Sequence, residues 1–145
     1  MEIIAKNRKA YFQYEILEKI EAGVVLTGTE VKSIRNRDVS INESFAHLNN
    51  GEIFVYEMHI GQYKQGNRQN HEPKRVRKLL LHKREIAKIA GKIKQKGYTM
   101  IPLSLYFKEG VVKVELALVR GKTKIDKRED IKKRDIDREI QRAMR

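Results

Sequence analysis

At 145 residues with 40% hydrophobic content, the chain is the size of one domain and carries enough apolar side chain for a modest core. Its 32 Lys and Arg against 19 Asp and Glu give a formal net charge of +13 and a pI near 10.0, which points to a polyanionic partner, nucleic acid ahead of an anionic membrane. The absence of cysteine excludes disulfides and thiolate metal sites, and no apolar run approaches the about 18 residues of a spanning helix.

The first residues, MEIIAKNRKA, lack the h-region and cleavage site of a secretory signal, so the expectation is a soluble cytoplasmic protein. Tyr11 to Ile20 is aromatic and β-branched, Glu21-Ala22-Gly23 reads as a turn, and Val24 to Leu26 resumes an apolar strand, a predicted first hairpin. Thr29, as a cap, precedes Val31 and Ile34, which predicts a short helix whose outer face carries Lys32 and Arg35. Val39 to Leu48 and Glu52 to Ile60 are strand-like runs around Asn49-Asn50-Gly51, a second hairpin. Gly61 to Pro73 has no hydrophobic period and predicts a mobile loop. His82 to Gly97 places Ile86, Ile89, Ala90 and Ile93 on one helical stripe and Lys88, Lys92 and Lys96 on another. Tyr98 to Phe107 and Val111 to Val119 flank Lys108-Glu109-Gly110 as a third hairpin, with Pro102 at an edge, bend or bulge because it has no N–H to donate.

After Val119 the composition changes abruptly. From Arg120 onward eleven Lys or Arg stand against six Asp or Glu with few apolar residues, too little to build a core. Asp126 and Glu129 form a capping-like pair and acids alternate with bases at helical spacing, so the tail is a conditional helix, loose when free and ordered on a charged partner. The division is therefore a body of residues 1–120 and a basic tail of residues 121–145. About six strands with one substantial helix after the fourth suit a small antiparallel barrel of the OB type, although an open antiparallel sheet with one packed helix gives the same pattern.

The main binding candidate is EPKRVRKLLLHKRE, where Lys74, Arg75, Arg77 and Lys78 precede Leu79-Leu80-Leu81. Clustered cations neutralise phosphates and release counterions, and a protruding leucine packs on an unstacked base or sugar. The plainer alternative is a solvated basic loop anchored by core leucines. In NRKAYFQYE, Asn7, Arg8 and Lys9 precede Tyr11, Phe12 and Tyr14, rings that either stack bases or, as expected for Phe12, join the core. The four histidines have no metal-ligand spacing, and no phosphate-cradle or nucleophile-elbow motif is present. His71-Glu72 and the tail carboxylates lack the surroundings that acid–base or metal chemistry needs. The expectation is a non-enzymatic binder without cofactor, metal or small-molecule substrate.

Taken together, NRKAYFQYEILEKIEAGVVLTGTEVKSIR, NHEPKRVRKLLLHKREI, GYTMIPLSLYFKEGVVKVELALVRGK and DKREDIKKRDIDRE closely resemble the bacterial SsrA-binding protein (SmpB, small protein B) family, in order from about Asn7 to Arg142. The resemblance implies an OB-fold barrel that binds the tRNA-like domain of transfer-messenger RNA (tmRNA, SsrA RNA) and takes it to stalled ribosomes for trans-translation. It implies an RNA-binding set at Asn7, Glu21, Leu80 and Lys113 with the basic loop Lys74, Arg75, Arg77 and Lys78, to which the basic positions Lys9 and Lys32 are added. For the tail it implies Gly121 as a pivot and Asp126-Lys127-Arg128 at the decoding centre of the small ribosomal subunit, with Ile125 where some members carry His. Lys132, Lys133 and Arg134 would meet ribosomal RNA, and Ile136, Ile140 and Met144 would pack along the vacant mRNA channel once the tail is helical. A general single-strand RNA-binding or ribosome-associated OB-fold protein is the alternative.

Overall fold

The computed structural model describes residues 1–64 and 70–121. In chain order the elements are β1 (Glu2–Lys6), α1 (Arg8–Gln13), β2 (Tyr14–Val24), α2 (Gly28–Arg35), β3 (Val39–Ser40), β4 (Phe45–Asn49), β5 (Glu52–Tyr56), β6 (His59–Ile60), β7 (Arg77–Leu80), α3 (Lys83–Lys96), β8 (Thr99–Lys108) and β9 (Val111–Gly121). Antiparallel pairings run β4–β5–β7–β2–β9–β8, and Ala46 opposite Met100 returns β8 to β4, so the strands form a ring resembling an OB-type barrel. β1 adds to β8 outside that ring, and β3 and β6 make a separate two-stranded ribbon.

Alternation along the strands fills the ring. Ala22, Ala46, Ile53, Val55, Leu79, Met100, Leu105, Val114 and Leu116 point inward, with Ile34 of α2 and Ile89 of α3 in the same cluster. The α3 stripe forms as the sequence predicts: Ile86 and Ile93 pack beside Ile89, and Gly97 ends the helix at φ +67, where a left-handed residue favours glycine. A second apolar cluster lies outside the ring, where Ala10 of α1 and Tyr14 cover Ile101, Leu103, Ala117 and Val119.

Two predicted turns form where expected. Asn50 (φ 52) and Gly51 (φ 77) have the left-handed pair that a two-residue hairpin requires, and Glu109 and Gly110 repeat it between β8 and β9. Pro102 sits at a bulge, as its missing donor demands, where the β8–β9 register shifts between Pro102 and Ser104.

The first hairpin does not form. Asn7 caps a short helix by accepting from Ala10 N at 3.2 Å, so Tyr11 to Gln13 are helical, and β2 then runs straight through Glu21-Ala22-Gly23. Gly23 is needed for closeness and not for a turn: a Cβ there would lie 3.3 Å from Leu80 Cβ on β7. The cap of α2 is Thr27, two residues before the expected Thr29, in a capping box with Glu30. The helix ends with Arg37 at φ 61, whose N–H reaches Ile34 O while Asp38 N reaches Ser33 O.

The two long runs expected around Asn50-Gly51 are each interrupted, by a turn in which Ser44 Oγ donates to Ile41 O at 2.6 Å and by Glu57 at φ 59. β1 is an addition to the expected elements. Gly121 also exceeds the expected boundary, because it completes β9 opposite Tyr14.

Candidate nucleic-acid interface

Val112, Val114 and Leu116 face the core, so Lys113 and Glu115 between them face outward. Cross-strand register then aligns one transverse row, Leu80 (β7), Gly23 (β2), Lys113 (β9), Tyr106 (β8) and Ile3 (β1). The adjacent row holds Glu21, Glu115 and Ser104. Three of the expected RNA-contact residues, Glu21, Leu80 and Lys113, are thus brought together on one outer face from three strands. Leu80 is 51% exposed, an apolar knob on a charged surface.

The Glu21 carboxylate accepts from the Tyr106 hydroxyl at 2.6 Å and lies 3.4 Å from Lys108 Nζ. The Tyr106 hydrogen bond, with Lys108 and Lys113 adding to it, holds this carboxyl below the usual carboxylate range. Glu21 is therefore an anion at neutral pH, and what it can receive is a donor.

The basic segment divides into surface and interior. Lys74 and Lys78 are exposed, paired with Glu57 at 3.1 Å and Glu52 at 3.4 Å. Lys9 lies 3.6 Å from Glu43, and Lys32 stands 5.4 Å from the centre of the Tyr63 ring. Such exposed pairs contribute about 0–1 kcal/mol, so a phosphate can displace them.

Arg77 requires correction. Its guanidinium is fully buried, bonded through Nε to Glu30 and through Nη1 and Nη2 to the carbonyls of Met58 (2.6 Å) and Pro73 (3.0 Å), which leaves no phosphate contact open. Glu30, also fully buried, accepts further from Arg75 Nη2 at 2.7 Å and from Thr27 N at 2.8 Å. Burial pushes its carboxyl up, but the bonds from Arg75, Thr27 and Arg77 outweigh that and hold it at about 2. Arg75, with 36% of its side chain exposed, is half anchor and half surface cation.

Asn7 is corrected in the same sense. It is 2% exposed, its Oδ1 caps α1, its Nδ2 donates to Pro102 O at 3.4 Å, and its backbone N–H donates to Leu103 O at 2.7 Å. Asn7 therefore fastens α1 to the β8 bulge.

Sequence reasoning missed Tyr106, Lys108 and Glu30. Strand alternation could have placed Tyr106 and Lys108 on the Lys113 face, whereas the local pattern Thr27-x-x-Glu30 marks Glu30 as a capping-box acid and not as the partner of Arg77. His71 was expected in a mobile loop, yet its ring nitrogens lie 2.9 Å from Thr29 Oγ1 and 2.9 Å from Ile60 O, so the loop is tied at its base. Phe12, expected in the core, is 78% exposed on α1, and Tyr11 beside it is 45% exposed with Lys19 Nζ 5.7 Å from its ring centre. Asp126, Lys127, Arg128, Lys132, Lys133, Arg134, Ile136, Ile140 and Met144 lie outside the described residues. Among the described residues no group of three or more His, Asp or Glu is placed to hold a metal ion, and no helix is long and apolar enough to cross a membrane.

Comparison with known proteins gives concordant matches. The family model described as SmpB protein matches residues 4–145. The chain is 59% identical over 143 residues to the SsrA-binding protein of Carboxydothermus hydrogenoformans, covering 99% of this chain and 96% of that protein. It is 57% identical to the SsrA-binding protein of Geobacillus kaustophilus, covering 99% and 92% of the two chains. Among solved structures it resembles a chain described as "tmRNA-SmpB: a journey to the center of the bacterial ribosome", with a TM-score of 0.69 and 46% identity over 88% of this chain and 94% of that one.

Proposed function

Because the chain belongs to the SmpB family, which it matches over residues 4–145, we propose that it binds the tRNA-like domain of tmRNA and delivers that RNA to stalled ribosomes for trans-translation. The observation that carries the reading at residue level is the outer row in which Leu80, Gly23 and Lys113 align beside Glu21. An apolar knob, a cation and a fixed carboxylate recognise a folded RNA by base and ribose, while phosphate contacts supply bulk affinity. Lys74, Arg75 and Lys78 provide those phosphate contacts at one edge, with Lys9 and Lys32 as further cations. Asn7 and Arg77 act by positioning.

The activity is binding without turnover. The tail from Gly121 onward acts separately: Asp126, Lys127 and Arg128 sit at the decoding centre, and the segment from Lys132 to Met144 becomes helical in the vacant mRNA channel, where a helix of its 13 residues spans roughly 20 Å. Deletion of residues 122–145 is expected to leave affinity for the tRNA-like RNA within a few-fold and to abolish rescue of stalled ribosomes in a reconstituted translation assay. Comparable loss in both assays would place the tail in the primary RNA site. Equal affinity of the intact protein for an unrelated RNA of the same length would favour a general RNA-binding protein instead.

A further inference from the structure

Glu21 poses an electrostatic problem. On a chain of net charge +13 built to meet a polyanion, an exposed carboxylate repels phosphate, and unless something holds it, it rotates toward whichever lysine is nearest. Two groups hold it here, and they differ in kind. Lys108 is a flexible cation with 49% of its side chain exposed, at 3.4 Å from either carboxylate oxygen, and an arriving phosphate can draw it away. Tyr106 cannot be drawn away. Its phenol is 4% exposed although it stands on the outer face, with Lys113 opposite it on β9 and Ile3 opposite it on β1.

From that walled position the hydroxyl crosses β9 to donate to Glu21 Oε2 at 2.6 Å, a short bond of the kind a charged acceptor makes. Because the donor is neutral, it orients the carboxylate without cancelling its charge. A carboxylate has about four lone-pair sites, so with Oε2 fixed by Tyr106, Oε1 retains acceptor capacity in a defined direction. A phosphate offers no donor and is rejected there, whereas a base amino or imino group or a ribose 2′-hydroxyl is accepted.

We propose that Tyr106 is a positioning residue for RNA discrimination, its hydroxyl fixing Glu21 Oε2 so that Oε1 is held as an acceptor for a base N–H or ribose 2′-hydroxyl of the tRNA-like RNA. The proposal rests on the reading that the Glu21 face meets RNA. It also gives β1 a bearing on the site, since Ile3 stands opposite Tyr106 in the ladder.

The test uses the full chain with Tyr106→Phe, which removes one oxygen and keeps the ring. The probes are a transcript of the tRNA-like domain and an unstructured RNA of equal length, with dissociation constants read by fluorescence anisotropy at one salt concentration. The variant is expected to bind the tRNA-like transcript about three- to tenfold more weakly, roughly 0.7 to 1.4 kcal/mol, with the unstructured RNA changed by less than about twofold. In a Glu21→Ala background the same substitution is expected to add less than about twofold, because the group it orients is gone. Lys108→Ala is expected to weaken both RNAs alike and leave their ratio unchanged. Equal losses on both RNAs for Tyr106→Phe, or additive effects with Glu21→Ala, would overturn the positioning role. If Glu21→Ala itself leaves the ratio unchanged, the underlying reading of that face falls and the inference falls with it.

Discussion

Replacing Glu30 with Gln probes the ionic knot beneath the basic segment. The fully buried carboxylate faces two guanidinium groups, Arg75 at 2.7 Å and Arg77, plus the Thr27 N–H at 2.8 Å. An amide of the same shape keeps one acceptor, turns an N–H₂ toward cations that are themselves donors, and leaves Arg77 without a counter-charge. The carboxyl falls from 4.5 to about 2 in the folded protein, and at 1.36 kcal/mol per unit this linkage is worth about 3 kcal/mol at neutral pH. Removing one member of a buried pair typically costs about 3–5 kcal/mol.

Against a domain stability of about 5–15 kcal/mol, such a loss lowers the melting temperature by roughly 10 °C, read by circular dichroism. The sign with pH follows from the lowered value. The wild-type contribution is complete above about 4.5 and is lost as pH falls toward 2, so urea midpoints of the wild type decline across that window, while the Glu30→Gln protein lacks this share of the decline. A double variant, Glu30→Leu with Arg77→Met, is expected to recover much of the loss. A Glu30→Gln protein that melts with the wild type and keeps its full acid slope would refute the claim that this pair organises the segment.

Charge changes on the basic segment should separate by exposure. Replacing Lys74 and Lys78 with Ala is expected to lower the slope of log affinity against log salt by about 0.7 to 0.9 each, while Arg77→Lys leaves the slope unaltered and reduces stability; a slope change from Arg77→Lys would mean that its guanidinium reaches phosphate. Leu80→Ala is expected to weaken binding of the tRNA-like RNA several-fold with stability altered by less than about 0.5 kcal/mol, as measured by anisotropy and urea denaturation. Gly23→Ala inserts a methyl group 3.3 Å from Leu80 Cβ and is expected to displace that side chain, weakening RNA binding alongside a stability loss of about 1 kcal/mol.

What could be read from the chain alone was whatever neighbouring residues determine. Asn50-Gly51 dictates its own turn, the Ile86, Ile89, Ile93 stripe dictates α3, and Pro102 forbids a regular ladder wherever it falls. The failures involve partners far away in sequence. Glu21-Ala22-Gly23 has turn composition, but β9 supplies a full ladder opposite it and Leu80 presses against the glycine from β7. Arg77 is indistinguishable from Arg75 by composition and both reach Glu30; the difference is made by the carbonyls that enclose Arg77, above all that of Met58, 19 residues upstream. Asn7 was expected at the RNA because the family resemblance implies it, whereas its amide is committed to Pro102, 95 residues away. Phe12 misled in the opposite direction, since its hydrophobicity predicts burial while the capped turn of α1 turns Ala10 inward and leaves the ring outside.

The β2–β9 ladder has Tyr14 opposite Gly121 at one end and Gly23 opposite Lys113 at the other. Nine residue steps of the bulged β2, and eight of β9, separate those ends, about 26 Å at 3.3 Å per residue of β9. The root of the basic extension and the row bearing Lys113 therefore stand at opposite ends of one hydrogen-bonded ribbon, which β8 flanks along most of β9 and β7 flanks at the Gly23–Val24 end of β2. The barrel is in effect a rigid strut of set length. On the function proposed above, an RNA held at the Lys113 end would stand a set distance from Gly121, so the spacing between a carried molecule and whatever residues 122–145 meet would be decided by strand length, before either is bound.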